Sequence, residues 1–182
     1  MADWRNLTSA EIATAQLIFG NALNYQKIKI YCGIPYLPWL SCAVSPNGHI
    51  YFPKQHCPAD FTQAPTHYLV WFMHELTHVW QWQLGFRTWL GGSILALRGG
   101  YYQRRAYRYT LTPDSISFTK LNMEQQAEVV AHYFAARYCH WEHHACQLDQ
   151  LQTILQPLLT HPANPNLLPR YFGHSLSSHT QP

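Results

Sequence analysis

The sequence predicts an α+β domain in which a small N-terminal β-sheet packs on two long helices. Three observations predict it: a helix-capping pattern near the N-terminus, two short alternating segments, and two longer helical patterns further along the chain. Aromatic residues make up 15% of the 182 residues and charged residues only 12%, a composition typical of a packed core. We assign residues 1–160 to one domain and the Pro-, Ser- and His-rich residues 161–182 to an extended tail.

The N-terminal elements follow from local patterns. Thr8-Ser9-Ala10-Glu11 is a capping box, which predicts a helix that runs to roughly Leu23. Residues 27–31 and 48–52 alternate between polar and apolar side chains, so each predicts a half-buried strand. One face of the first helix should be buried, through the apolar residues Ile12, Ala15, Leu17, Ile18 and Phe19.

The next helical pattern is apolar and aromatic over about twenty residues. Pro65 suits its first turn, and Gly85 suits the position just past its end. The polar run His74-Glu75-Leu76-Thr77-His78 therefore lies inside a buried helix. Burying these groups is unfavourable unless a metal or hydrogen bonds satisfy them. Two ordinary core histidines are the alternative interpretation.

This run has the spacing of a metal-dependent hydrolase. His74 and His78 share a helical face, so both imidazoles can bind one metal ion. Glu75 then lies beside the open coordination position, where it can take a proton from a bound water. The pattern predicts Zn²⁺ as cofactor and Glu75 as the catalytic base.

A second helical pattern supplies the missing ligand. It begins at Asn122 and carries Glu124 and Glu128, which are four residues apart and can both face the first helix. One carboxylate can bind the metal while the other accepts the free ring N–H of a ligand histidine. Spacing leaves both assignments open.

These two helices resemble those of the gluzincin class of metallopeptidases, in which an Asn-Glu-x-x-x-Asp pattern follows the His-Glu-x-x-His helix. The resemblance implies a zincin-like fold, with Glu124 as third ligand and Glu128, in place of the usual Asp, as the residue that orients a ligand histidine. The swapped assignment stays open.

A narrower resemblance covers most of the chain. Its segments are similar, in order and spacing, to the bacterial Vgr-related proteins, which are zincin-like domains linked to type VI secretion spikes and polymorphic toxins. The resemblance implies a secreted or spike-associated effector with a spike or immunity protein as partner. It implies no particular substrate. The matching segments are 7–12, 18–20, 25–30, 46–52, 74–81, 124–128 and 133–134.

Two functional hypotheses follow. The first is a zinc metallopeptidase that cleaves amide bonds of a protein, peptide or peptidoglycan substrate. The second is a catalytically silent adaptor whose zinc only joins two helices, with His49, His67 or a tail histidine as fourth ligand.

Two further segments could border a cleft. Glycines at both ends of residues 91–100 predict a mobile apolar loop. Residues 101–109 interleave arginine and tyrosine, which favours a strand whose Arg stems cover aromatic rings over a nucleic-acid surface. A tyrosine or a histidine could donate a hydrogen bond to an oxyanion, and spacing does not choose among the four tyrosines of this segment.

The cysteines and termini bear on localisation. An odd number of cysteines, five, argues against a complete disulfide framework and fits synthesis in a reducing compartment, although a bridge among Cys32, Cys42 and Cys57 could form after export. Residues 139–146 could form a second metal cluster, but a hydrated helix end is favoured.

The N-terminus lacks a secretory signal pattern and no apolar run reaches eighteen residues, so we expect cytoplasmic synthesis, signal-independent export and no membrane span. The formal charge of +3 demands no polyanionic partner.

Overall fold

A three-stranded sheet and six α-helices form the part of the chain that the computed structural model describes, residues 3–35, 39–111 and 117–171. In chain order these elements are β1 (Asp3–Asn6), α1 (Ser9–Phe19), β2 (Lys29–Cys32), β3 (Ile50–Phe52), α2 (Thr66–Gln83), α3 (Thr88–Leu97), α4 (Met123–Tyr138), α5 (Glu142–Ala145) and α6 (Leu148–Thr160). The predicted α+β class and small sheet are confirmed.

The sheet has the strand order β1-β2-β3. Strand β2 pairs antiparallel with β1 and parallel with β3, with Ile30 opposite Ile50. Strand β3 lies within its predicted segment and β2 overlaps its own, ending one residue beyond it at Cys32, whereas β1 was not predicted. Its four residues, Asp3–Asn6, are too few and too polar to show an alternating pattern.

Helix α1 begins at the predicted capping box, and its Glu11 does more than cap. Glu11 is fully buried and accepts hydrogen bonds from both terminal nitrogens of Arg5 and from the backbone N–H of Phe61. The helix ends at Phe19 rather than near Leu23, because Gly20 adopts a positive φ of 49°. Leu17 was expected on the buried face but is 48% exposed.

The core lies where α2 and α4 pack together, with α6 against α4. Helix α2 occupies nearly the whole predicted range, with Pro65 just before it and Gly85 just after it. Its apolar side chains are completely buried over the turns that carry the motif. The fully buried residues of these helices include Phe72, Met73, Leu76, Val79, Trp80, Val129, Val130, Leu151 and Leu155.

The prediction of a mobile loop after α2 was wrong. Residues 91–97 belong to helix α3 and not to a mobile loop. A Cβ at Gly91 would come within 2.7 Å of the Met123 sulfur and of the Phe86 ring, so this glycine serves close packing rather than mobility.

Residues 102–107 form a 3₁₀ segment and not a strand, because Gln103 and Arg104 adopt left-handed backbone angles. The expected stacking of arginine on tyrosine is nevertheless present. Arg104 lies 4.8 Å from the centre of the Tyr107 ring and Arg105 lies 5.4 Å from that of Tyr102.

The predicted tail packs on the domain as far as Tyr171. Leu167 is buried and its carbonyl accepts a hydrogen bond from Gln126, while the Tyr171 ring stacks on Phe86. These contacts differ from the extended segment expected after residue 160; residues 172–182 lie outside the described ranges.

The cysteines divide into one pair and three free thiols. Cys32 at the end of β2 forms a disulfide with Cys57, while Cys42, Cys139 and Cys146 are free. A bridge among the first three cysteines is thus formed. Among the described residues no helix is long and apolar enough to cross a membrane.

Candidate metal centre

Two histidine side chains from α2 converge on one point. His74 and His78 lie one turn apart, and their Nε2 atoms are 3.2 Å from each other. His78 is buried and His74 is mostly buried, with a side-chain exposure of 12%.

Glu124 completes a triangle with these two nitrogens. It lies in the first turn of α4, and its Oε2 atom is 3.3 Å from His74 Nε2 and 3.2 Å from His78 Nε2. Ligands bound to zinc at 2.0–2.1 Å in a tetrahedral arrangement lie about 3.3 Å from one another. The three donors therefore have the spacing of three corners of such a site, and they could hold a metal ion.

A buried amide network fixes the orientation of His78. Its Nδ1 atom is 2.9 Å from Gln81 Oε1, an acceptor, so Nδ1 carries a proton and Nε2 is the nitrogen that a metal ion can bind. Gln81 in turn donates to the Met123 carbonyl and to Gln126 Oε1. Because Met123 and Gln126 belong to α4, this network also sets the position of Glu124. Gln81 was not predicted to have a role, although it lies three residues beyond His78.

The electrostatics of the metal-free centre reflect the close packing of these groups. Burial alone would lower the pKa of His78, but the Glu124 carboxylate raises it to about 9. Burial would raise the pKa of Glu124, but His78 and His74 hold it well below its usual range. Glu124 is therefore ionised, and positive charge next to it is favoured.

Glu75 lies on the same helix and is held by a residue that sequence reasoning missed. The Ser45 hydroxyl donates a 2.8 Å hydrogen bond to Glu75 Oε2, and both residues are buried. The Ser45 carbonyl accepts a hydrogen bond from the Thr88 hydroxyl at the start of α3. Ser45 comes from the loop before β3, thirty residues from Glu75, so no local pattern could reveal the contact.

Glu128 faces the opposite side of His74. Its Oε2 atom lies 4.0 Å from His74 Nδ1, which exceeds hydrogen-bonding distance, and Arg104 donates a 2.8 Å hydrogen bond to its other oxygen. It also lies 3.3 Å from His132. Burial, followed by the neighbouring His144, lowers the pKa of His132 to about 4, so this imidazole is neutral near pH 7. Glu124, and not Glu128, is thus the carboxylate adjacent to both Nε2 atoms.

Two tyrosines from the 3₁₀ segment and the turn before it reach the centre. The Tyr101 hydroxyl donates a 2.8 Å hydrogen bond to Glu124 Oε1. Tyr107 lies beside His74, with ring centres 6.0 Å apart. Burial and then the Glu124 charge raise the pKa of both phenols, so both stay protonated at neutral pH.

The second metal cluster considered for residues 139–146 does not assemble. Within residues 3–35, 39–111 and 117–171, the group able to hold a metal is His74, His78 and Glu124. His144 instead stacks on His132, with ring centres 4.1 Å apart. Cys146 and His143 are exposed, as expected for a hydrated helix end.

Comparison with known proteins places the chain in a family. No family model matches it. It is 33% identical over 133 residues to the type VI secretion system spike protein VgrG2b of Pseudomonas aeruginosa, a match that covers 71% of this chain and 13% of that protein. The solved structure of the effector domain of Pseudomonas aeruginosa VgrG2b is similar with a TM-score of 0.67 and 30% identity, covering 81% of this chain and 83% of that domain. The chain thus spans a small part of the spike protein but most of its effector domain, and it belongs to the family of the VgrG2b effector domain.

Proposed function

We propose that this chain is a zinc-dependent hydrolase of the metallopeptidase type, with the zincin-like arrangement of two ligand-bearing helices. The observation that carries the proposal is the triangle of His74 Nε2, His78 Nε2 and Glu124 Oε2, with edges of 3.2–3.3 Å. Two imidazoles and a carboxylate are a donor set that suits zinc. A bound cation would satisfy the ionised Glu124 carboxylate and both imidazole nitrogens at once in this buried site.

The chemistry divides between the metal and the chain. Zinc held by His74, His78 and Glu124 would supply Lewis acidity and would lower the pKa of water towards neutrality. Glu75 acts as general base and then as general acid: it accepts a proton from water and delivers it to the leaving amine. The Ser45 hydroxyl, which donates to Glu75 Oε2, would fix the orientation of this carboxylate.

A hydrogen-bond donor for the developing oxyanion is chosen by elimination. Tyr101 already donates to Glu124, Tyr109 is hydrogen-bonded to His132, and Tyr102 is 64% exposed. We assign the role to Tyr107, whose ring centre lies 6.0 Å from that of His74 and whose hydroxyl stays protonated because burial raises its pKa. Glu128 keeps the proposed role of orienting His74, with a small closing movement of about 1 Å required for a hydrogen bond.

A structural zinc site would need a fourth protein ligand. Among the described residues no fourth His, Cys, Asp or Glu joins the group, because His49 packs against Tyr31 in the sheet and His67 packs against Tyr68. This favours an open coordination position and hence catalysis. Of the tail histidines proposed as alternatives, His161 is exposed and does not join the group, whereas His174 and His179 lie outside the described ranges.

Delivery by a type VI spike fits two observations. The related protein is a spike protein, and its effector domain is the part that this chain matches. The Cys32–Cys57 disulfide suits an oxidising compartment such as the bacterial periplasm. We therefore propose that the domain is synthesised in the cytoplasm, leaves it with a spike, and acts on a protein, a peptide or a peptidoglycan cross-link.

Metal content is the first test. Elemental analysis of the purified protein should find about one zinc per chain. His78→Ala and Glu124→Ala should lose it, whereas His161→Ala, an exposed histidine, should keep it. Loss in His78→Ala alone would move the ligand role to Glu128.

Turnover is the second test, with denatured protein and purified peptidoglycan as substrates. Glu75→Gln should retain zinc and lose hydrolysis, and Glu142→Gln, an exposed carboxylate, should retain both. Hydrolysis by rigorously purified Glu75→Gln protein would refute the base assignment. A zinc site with an ordered fourth protein ligand would favour the adaptor.

A further inference from the structure

We infer that helix α3 and the 3₁₀ segment after it form a surface that binds anionic lipid bilayers. This surface, called here the α3 face, consists of residues 87–108. The inference does not depend on whether the metal centre is catalytic.

The charge in this part of the chain has one sign. Between Glu75 and Asp114 the sequence has no Asp or Glu, yet it carries five arginines, which are all exposed: Arg87, Arg98, Arg104, Arg105 and Arg108. Glu75 and Glu124 are buried in the centre. Glu128 pairs with Arg104, so the positive charge of this surface is carried mainly by Arg87, Arg105 and Arg108. An exposed basic cluster attracts a negatively charged partner.

Apart from Ser93, the exposed residues of the helix between these arginines are apolar. No residue of α3 is charged, and only Thr88 and Gly91 of its ten residues are buried. Trp89 is 53% exposed and Leu97 is 89% exposed. Exposure of such apolar side chains to water is unfavourable, and apolar patches of this kind mark interaction sites.

The apolar and the basic parts are contiguous. The backbone N–H of Gly100 donates to the carbonyl of Leu95, which folds the 3₁₀ segment back beside α3. A Cβ at Gly92 would lie 3.3 Å from the Tyr101 hydroxyl. Tyr102 is 64% exposed and carries Arg105 on its ring. Trp and Tyr with flanking arginines are the side chains that favour the boundary between lipid and water.

A bilayer fits both parts of the α3 face, whereas a nucleic acid fits only one. Phosphates and bases would engage the arginines and tyrosines, but they would leave Leu97 and Trp89 without an apolar partner. Anionic headgroups can pair with the arginines while the exposed apolar side chains of α3 enter the acyl boundary, as in helices that lie on a membrane. The occupant that satisfies charge and hydrophobicity together is an anionic lipid surface.

Vesicle co-sedimentation of the zinc-loaded protein tests this inference. The protein should bind vesicles of phosphatidylcholine and phosphatidylglycerol, should not bind phosphatidylcholine alone, and should lose affinity as salt rises. Trp89→Ser with Leu97→Ser, and separately Arg105→Glu with Arg108→Glu, should each weaken binding on the order of tenfold or more.

The matched control is Leu17→Ser, since Leu17 is 48% exposed on α1. It should bind vesicles as the unchanged protein does. All variants should keep their zinc and melting temperature, because the altered side chains are exposed. Equal binding to both kinds of vesicle, absence of binding, or salt-sensitive binding to a single-stranded oligonucleotide in place of vesicles would overturn the inference.

Discussion

Replacing Gln81 with Leu should weaken zinc binding although Gln81 cannot touch the metal. Gln81 is completely buried and of similar size to Leu, so the change removes polar contacts without opening a large cavity. The substitution frees His78 Nδ1 from its acceptor, and the ring can then rotate or carry its proton on Nε2. It also removes two hydrogen bonds that tie α2 to Met123 and Gln126 of α4.

The magnitude follows from these contacts. Loss of the group that orients a ligand histidine weakens metal binding about 10- to 100-fold, or about 1.4 to 2.7 kcal/mol. The metal-free protein loses three buried hydrogen bonds, each worth about 1 kcal/mol, so its free energy of unfolding should fall by about 3 kcal/mol.

Two measurements separate these effects. Competition with a chromogenic chelator gives the zinc Kd, and urea unfolding of the metal-free protein gives stability. Gln83→Leu is the matched control, because Gln83 lies on the same helix but bonds the exposed backbone of Asn24. A Gln81→Leu protein that binds zinc within twofold of the unchanged protein would refute the view that Gln81 sets the His78 tautomer.

Two other substitutions test the positioning of Glu75 and the Cys32–Cys57 disulfide. Ser45→Ala removes the hydroxyl that holds Glu75 but keeps the hydrogen bond from Thr88 to the carbonyl of residue 45. We expect kcat to fall about tenfold with zinc content unchanged. An unchanged kcat and pH profile would contradict the positioning role of Ser45. Cys32→Ser should lower the free energy of unfolding by about 3.5 kcal/mol, the value for a closed loop of 25 residues. The same change at the free Cys42 should leave it within about 0.5 kcal/mol. Chemical denaturation of the two cysteine variants measures these changes. An equal loss of unfolding free energy in both variants would argue against the Cys32–Cys57 bridge.

The ligand candidates were predictable because helical periodicity is local. His74 and His78 are four residues apart, and a helix of known pitch puts them on one face. Their burial followed from the apolar residues on either side. Glu124 and Glu128 obey the same rule, so spacing identified both carboxylates but could not rank them. The ranking depends on the angle at which α4 packs on α2, and that angle is set by side chains distant in sequence.

Elements that depend on partners from elsewhere were predicted poorly. The short strand β1 forms because β2 lies beside it, and its own residues have little strand pattern. The glycines of α3 indicated a loop by propensity alone, yet Gly91 is required where Met123 and Phe86 approach the helix. Each glycine is about 1 kcal/mol less favourable than alanine inside a helix, and the tertiary packing of α3 outweighs this cost.

The sequence by itself determined the α+β class, the two motif helices and the residue types of the candidate metal centre, since these follow from patterns that are local along the chain. Only the tertiary structure decided that Glu124 rather than Glu128 meets both imidazoles, that Ser45 holds Glu75, and that Gln81 fixes the His78 ring. Hydrogen bonds and metal geometry are sensitive to tenths of an ångström, and the distances between segments thirty or more residues apart are fixed only when the whole core is packed.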